Sequence, residues 1–248
     1  MISPPLPENG LAGRLALMQN PQIIVNFKTY ASGFGDSALE LARIHEKVAK
    51  ETGVNIAIAV QAVDLRYIVN EVSIPVFAQH FDRAQEGAFT GHITPHSLKA
   101  IGAFGSLLNH SEKRISLDDI EESIDLARNL GLFTIICADT VYTGKAAMDL
   151  DPNMIAVEPP ELIGGDVSVC SAKPQIILDA VQMIGLDRVI IGAGVKTKED
   201  VKMAIMHGAG GVLVASGVTK AADPESVLRE LAEGFIEGRR SRSTAAVC

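Results

Sequence analysis

Tryptophan is absent from the 248-residue chain, and the other aromatics amount to three tyrosines and eight phenylalanines. Any large core must therefore be built from Val, Ile, Leu and Ala. Cysteine is nearly as scarce. Cys137, Cys170 and Cys248 cannot all pair within the chain, and no C-x-x-C or Cys/His spacing marks a zinc or redox motif, so a reducing cytoplasmic setting is the expectation. Long apolar runs are missing too, the longest being strand-sized and well short of the roughly 18 residues that cross a bilayer. Positive charge is in deficit. With 22 Lys and Arg against 30 Asp and Glu, the formal net charge of −8 argues against nucleic acid or an anionic membrane as partner, since clustered cations hold both. An anionic substrate would have to be held by local groups against that field. What is plentiful is aliphatic side chain: 47% hydrophobic against 21% charged residues is a compact globular composition, not a disordered one.

The two ends read differently from the middle. Residues 1–22 hold Pro4, Pro5, Pro7 and Gly10, lack a basic start, and carry Arg14 inside their one apolar patch, so the expectation is an irregular extension and not a signal peptide. Met18 stands just before the first strand pattern, and translation is expected to start there naturally. At the other end, residues 238–248 run Gly-Arg-Arg-Ser-Arg-Ser-Thr and onward, the composition of a disordered, solvated tail.

Between them, eight short β-branched runs alternate with longer amphipathic stretches. The strand patterns are 23–27, 55–60, 76–79, 106–109, 133–137, 154–157, 188–191 and 211–214, nearly continuous in apolar residues, as parallel strands buried on both faces should be. Helical patterns follow at 36–51, 63–70, 94–102, 118–130, 141–148, 173–184, 198–207 and 223–237. Those at 63–70 and 141–148 are weakest and short enough to be single turns. Start signals are explicit at Ser116-Leu117-Asp118-Asp119, Thr197-Lys198-Glu199-Asp200 and Asp223-Pro224-Glu225, while Gly53, Gly131, Gly185 and Gly208 sit where helices should stop. No Pro/Gly-rich linker or composition break divides the chain, so one domain over 23–237 is predicted. Eight such units fit a closed (β/α)8 barrel; an open doubly wound sheet is the alternative.

Three strand ends carry reactive groups. Glu158 follows Met154-Ile155-Ala156-Val157 and precedes Pro159-Pro160 and the segment Leu162-Ile163-Gly164-Gly165, so a carboxylate stands at a strand mouth beside a loop able to close over it. Proton abstraction next to a carbonyl needs that arrangement. Lys28 ends Ile23-Ile24-Val25-Asn26-Phe27, and His110 ends Ser106-Leu107-Leu108-Asn109, which adds a cation and an imidazole at equivalent positions. In a barrel the site lies at the C-terminal strand ends, where these three would meet. After the last two strands come Gly192-Ala193-Gly194 and Ala215-Ser216-Gly217, small residues that let backbone amides approach a phosphate. Taken singly, each has a plainer alternative: ordinary βα turns for the glycines, a solvated strand-end cation for Lys28, a rim histidine for His110 and a surface carboxylate for Glu158. His80, His92 and His96 lack metal-ligand spacing and read as structural or surface residues.

From about residue 22 to 237 the chain resembles the short, archaeal-type form of triosephosphate isomerase. The resemblance rests on Val25-Asn26-Phe27-Lys28, Phe77-Ala78-Gln79-His80, Gly87 to His92, Leu107 to Arg114, Ala156 to Gly164, Gly192 to Val195 and Leu213 to Lys220. It implies a single-domain TIM barrel that interconverts dihydroxyacetone phosphate and D-glyceraldehyde 3-phosphate in glycolysis and gluconeogenesis, without metal or organic cofactor. By the same resemblance Glu158 is the proton-shuttling base, His110 the neutral electrophile, Lys28 the cation facing phosphate and enediolate, Asn26 a pocket wall and Glu112 the partner that positions Lys28. Ile163, Gly164, Gly194, Ala215 and Ser216 would offer phosphate-binding amides, and 159–170 would form the lid. The shortened fourth and fifth helical regions resemble those of archaeal tetramers, so a homo-oligomer, tetramer or dimer, is implied. Inside the lid the chain departs from the family's usual Ile-Gly-Thr-Gly, reading Ile163-Gly164-Gly165-Asp166, with Cys170-Ser171 further on where Ser-Lys is common. Asp166 is expected to weaken phosphate binding. Two alternatives stand beside this reading: a sugar-phosphate epimerase or other phosphate-binding barrel enzyme, and a barrel with a degraded lid kept as an oligomeric binding module.

Overall fold

The computed structural model describes residues 20, 22–159 and 174–245. Eight parallel strands follow one another around a closed barrel: β1 (Ile23–Asn26), β2 (Ile56–Val60), β3 (Val76–Ala78), β4 (Gly105–Leu108), β5 (Phe133–Ala138), β6 (Met154–Val157), β7 (Val189–Ile191) and β8 (Gly211–Val214). Closure is made by β8 pairing back onto β1, with Ile23 opposite Val212 and Val25 opposite Val214, which removes the open-sheet alternative. The helices are α1 (Gly35–Thr52), α2 (Ala62–Glu71), α3 (Pro95–Ala100), α4 (Leu117–Leu130), α5 (Val141–Met148), α6 (Pro174–Ile184), α7 (Lys198–Met206), the single turn α8 (Ser216–Thr219) and α9 (Pro224–Ala245). Among the described residues no helix is long and apolar enough to cross a membrane.

Strand periodicity separates two apolar layers. Ile23 and Val25 belong to the large cluster between strands and helices, whereas Ile24 belongs to a second cluster with Ala57, Ala59, Phe77, Leu107, Ile135, Cys137, Met154, Ala156, Ile190 and Leu213 that fills the barrel. The fill is tapered. Phe77, Phe104 and Phe133 crowd one level, Phe104 and Phe133 stacked at 5.4 Å, while Ala57, Ala59 and Ala156 leave room elsewhere in the lumen. Side chains alternate in and out along a strand, so Asn26, Glu158 and Gly192 continue the inward series of Ile24, Ala156 and Ile190.

Local signals set the helix bounds. Ser116 accepts from the Asp119 amide at the start of α4, and Thr197 and Asp200 form a reciprocal capping box on α7. Gly53 (φ 72°) and Gly131 (φ 64°) end α1 and α4 in the left-handed conformation. The two weakest patterns are helices after all, of 10 residues in α2 and 8 in α5. Burial of Leu65, Ile68 and Val69 holds the first, and a Thr140/Thr143 capping box starts the second.

The C-terminal end corrects the expected tail: α9 runs on to Ala245, eight residues beyond Glu237. Gly238, the first residue of the expected tail, is instead a close-packing point, since a Cβ there would stand 2.8 Å from the Lys202 carbonyl oxygen and from Ile205 Cβ of α7. Arg242 then anchors the last turns through its Nη2, which donates to both carboxylate oxygens of Asp187 at 2.8 and 3.0 Å. The expected N-terminal extension falls on residues that lie, apart from Asn20 and Gln22, outside those described.

Candidate active site

Lys28 stands two residues beyond β1 with φ 50°, a left-handed conformation that costs a non-glycine residue ~1 kcal/mol. Its amide donates to Asn26 Oδ1 at 2.9 Å, and its carbonyl accepts from Gln79 Nε2 at 2.9 Å. The ammonium, largely covered, reaches Glu112 Oε1 at 2.8 Å. The chain leaves β4 in the same manner through Asn109, φ 57°, whose Nδ2 donates to the Cys137 carbonyl and whose Oδ1 accepts from the Ile115 amide. That turn points His110 inward.

His110 is buried, and its Nδ1 accepts from the Glu112 amide at 3.2 Å, so its proton sits on Nε2. Nε2 lies 4.0 Å from Glu158 Oε2. Burial lowers the His110 pKa, and Lys28 lowers it further; the nearby carboxylates Glu158 and Glu112 oppose both, and the net shift is downward. The approaches to the two carboxylates, 3.6 Å from Nδ1 to Glu112 Oε2 and 4.0 Å from Nε2 to Glu158 Oε2, lie beyond hydrogen-bond range, and the lowered pKa favours a neutral ring over an ion pair with either.

Glu158, one residue beyond β6, is held by its amide on the Ala138 carbonyl at 2.8 Å and is buried. Its Oε2 has no hydrogen-bond partner among the described residues. Space for the carboxylate comes from Gly192, where a Cβ would meet Glu158 Cγ at 2.5 Å and Oε1 at 2.8 Å. Cys137 is buried beside the same carboxylate, and burial together with that negative charge raises its pKa, keeping it a thiol. A buried, under-bonded carboxylate opposite a donating imidazole is what a base needs if it is to take a proton from carbon while the carbonyl is polarised.

The remaining predicted positions divide. Gly194, φ 71°, turns the chain after β7 where only glycine is at ease, and Ala215 precedes α8, whose first amides, at Ser216 and Gly217, have no preceding helical carbonyl to bond. Ile163 and Gly164, with Gly165, Asp166 and the lid, lie outside the described residues. A cavity of about 370 Å³ is lined by Asn26, Lys28, Gln79, His80, His110 and Glu112 among others. A larger hollow of about 1060 Å³ opens at the opposite end of the barrel, against Val76, Phe104 and Phe133, away from all of these groups. Among the described residues no cluster of three His, Cys, Asp or Glu side chains could hold a metal ion. Of the flanking histidines, His80 lies against Asp82 at 3.3 Å and lines the cavity, and burial lowers its pKa.

Gln79, Cys137 and Gly192 were not singled out by sequence as groups that hold the reactive side chains. Gln79 and Gly192 do stand at strand ends, and Cys137 lies on an inward position of β5; with the closed topology in hand, that parity was the signal that could have found them.

A closed (β/α)8 barrel carrying a buried carboxylate, an imidazole and a lysine at the C-terminal ends of β6, β4 and β1 defines an enzyme of the proton-transferring isomerase type. The family model for triosephosphate isomerase matches residues 21–233. The chain belongs to the triosephosphate isomerase family. It is 49% identical over 213 residues to the triosephosphate isomerase of Methanocaldococcus jannaschii, covering 84% of this chain and 97% of that protein. To those of Methanoculleus marisnigri and Methanosarcina acetivorans it is 46% and 42% identical over 218 residues, covering 86% of this chain and 98% of each.

Proposed function

We propose that this chain interconverts dihydroxyacetone phosphate and D-glyceraldehyde 3-phosphate, the step shared by glycolysis and gluconeogenesis, with Glu158, His110 and Lys28 as its catalytic residues. The carrying observation is Glu158 Oε2, buried, without a hydrogen-bond donor among the described residues and 4.0 Å from His110 Nε2. Glu158 takes a proton from the carbon beside the carbonyl, and the C–H electron pair becomes the C=C of an enediolate. The former carbonyl oxygen gains negative charge, which the His110 Nε2–H and the Lys28 ammonium stabilise. Glu158 returns the proton to the neighbouring carbon, His110 relays the hydroxyl proton, and no atom or electron is gained or lost overall. Asn26 lines the pocket and Glu112 holds Lys28. The amides of Gly194, Ala215 and Ser216, with those of Ile163 and Gly164, receive the phosphate, which answers the net charge of −8 with local donors.

Supplying the purified chain with dihydroxyacetone phosphate and following glyceraldehyde 3-phosphate by a coupled assay tests the reading. Lys28→Ala should raise KM and lower kcat together. No conversion by the unmodified chain would contradict the function, and a Lys28→Ala protein changed only in thermal stability would return Lys28 to a solvated strand-end cation. Family membership leaves the epimerase alternative without support.

A cytoplasmic homo-oligomer, dimer or tetramer, completes the proposal. Its support is large apolar side chains left outside, Val63 and Tyr67 on α2 and Leu117 and Tyr142 at the starts of α4 and α5, Val63 being 84% and Tyr142 76% exposed. Light scattering at micromolar concentration should return a mass of two or four chains; a single-chain mass would refute it.

A further inference from the structure

Gln79 sits just past β3, two strands from Lys28, and its hydrogen bonds run back toward β1. Its Nε2 donates to the Lys28 carbonyl at 2.9 Å and Asn26 Oδ1 at 3.2 Å, with a longer approach of 3.4 Å to the Ala59 carbonyl. Asn26 Oδ1 in turn accepts from the Lys28 amide, so the peptide groups on both sides of the Lys28 Cα are tied, one directly and one through Asn26. The residue so gripped is one of four non-glycines with positive φ among those described. A left-handed lysine relaxes toward negative φ unless its surroundings hold it, and that rotation would swing the ammonium away from the cavity that it lines with His110.

We propose that Gln79 is a positioning residue for Lys28: its amide group clamps the left-handed backbone at Lys28 and thereby aims the ammonium into the site. The proposal rests on the reading of Lys28 as the site's cation. Length matters as well as polarity. Asparagine would place the amide roughly 1.5 Å short of its acceptors, the length of one C–C bond, beyond hydrogen-bond range. None of the hydrogen bonds found for Gln79 reaches His110 or Glu158, so its influence should pass through Lys28 alone.

A double-mutant cycle tests this, with kcat and KM for the isomerase reaction measured in Gln79→Met, Gln79→Asn, Lys28→Ala and the two double variants, and melting temperature followed throughout. Each Gln79 variant should lose about tenfold or more in kcat/KM, through kcat as well as KM, in the otherwise unaltered protein. In the Lys28→Ala background the same changes should cost less than about twofold. Equal losses in both backgrounds would make Gln79 a general structural support and overturn the proposal. So would full activity in Gln79→Asn, since polarity without reach would then suffice. Lys28→Ala retaining full activity would instead remove the reading of Lys28 itself, an outcome separable from the others because it appears in the single variant. If Gln79→Met does not fold, the Gln79→Asn arm, which keeps the amide, decides by the same comparison.

Discussion

Leaving a buried carboxylate oxygen without a donor costs on the order of 1–3 kcal/mol, more when it is charged, and among the described residues Glu158 Oε2 has no donor. The surroundings keep it in place: Gly192 supplies the room and the Ala138 carbonyl the backbone anchor. Gly192→Ala would put a methyl 2.5 Å from Glu158 Cγ and push the base off its line. Displacement of a reacting group by about 1 Å can cost roughly a hundredfold, so kcat should fall by at least about tenfold while the protein stays folded; an unchanged kcat would show that the carboxylate tolerates being moved. His110→Gln should lose less turnover than a change at Glu158, because an amide still donates to the carbonyl but relays protons poorly, and an unaffected rate would make the imidazole structural. Lys28, His110 and Glu158 were legible in the sequence because titratable side chains at the ends of apolar runs are conspicuous. The roles of Gln79, Cys137 and Gly192 were not, because each acts on a partner from another strand, and only the closed sheet brings them together.

At the scale of elements, the eight strand patterns and the first seven long helices were read to within a residue or two, since apolar runs and caps such as Ser116 and Thr197 are local signals. Two features escaped for the opposite reason. The turn α8 has four residues and no periodicity, and α9 extends through a glycine whose meaning depends on what it packs against. Gly234 and Gly238 bring α9 onto α7 so closely that a Cβ at Gly234 would lie 2.3 Å from the Lys198 carbonyl oxygen. Gly234→Val should therefore destabilise the protein by about 1–3 kcal/mol as overpacking does, read as a melting temperature lower by roughly 2–4 °C per kcal/mol. An unshifted melting temperature would mean that the two helices separate at no cost. The placement of Lys28, His110 and Glu158 should survive, because none of them lies on either helix, and kcat measured well below the melting point should be unaltered.

Across the whole molecule, stability draws on neutral imidazoles. His45 is fully buried against Phe27, its Nδ1 on the Leu41 carbonyl and its Nε2 without a partner among the described residues, and burial lowers its pKa from 6.5 to about 4. As pH falls from 6.5 toward 4 the unfolded chain binds a proton that folded His45 refuses, so stability declines over that window and levels off below it. The loss from this residue alone is about 3 kcal/mol, and His80 and His110, both lowered by burial, act in the same direction. Chemical denaturation at pH 7 and pH 4.5 should show it, with His45→Phe flattening the slope if the cavity accepts the ring; a pH-independent midpoint would contradict the assignment. The central claim, that a barrel of this charge and composition exists to move one proton at Glu158, is tested most directly by solvent exchange. In D2O the unmodified protein should place deuterium on the carbon-bound positions of the triose phosphates. Glu158→Gln, with an unchanged melting temperature, should do so at least about a hundredfold more slowly. Deuterium entering at the same rate in both proteins would contradict it.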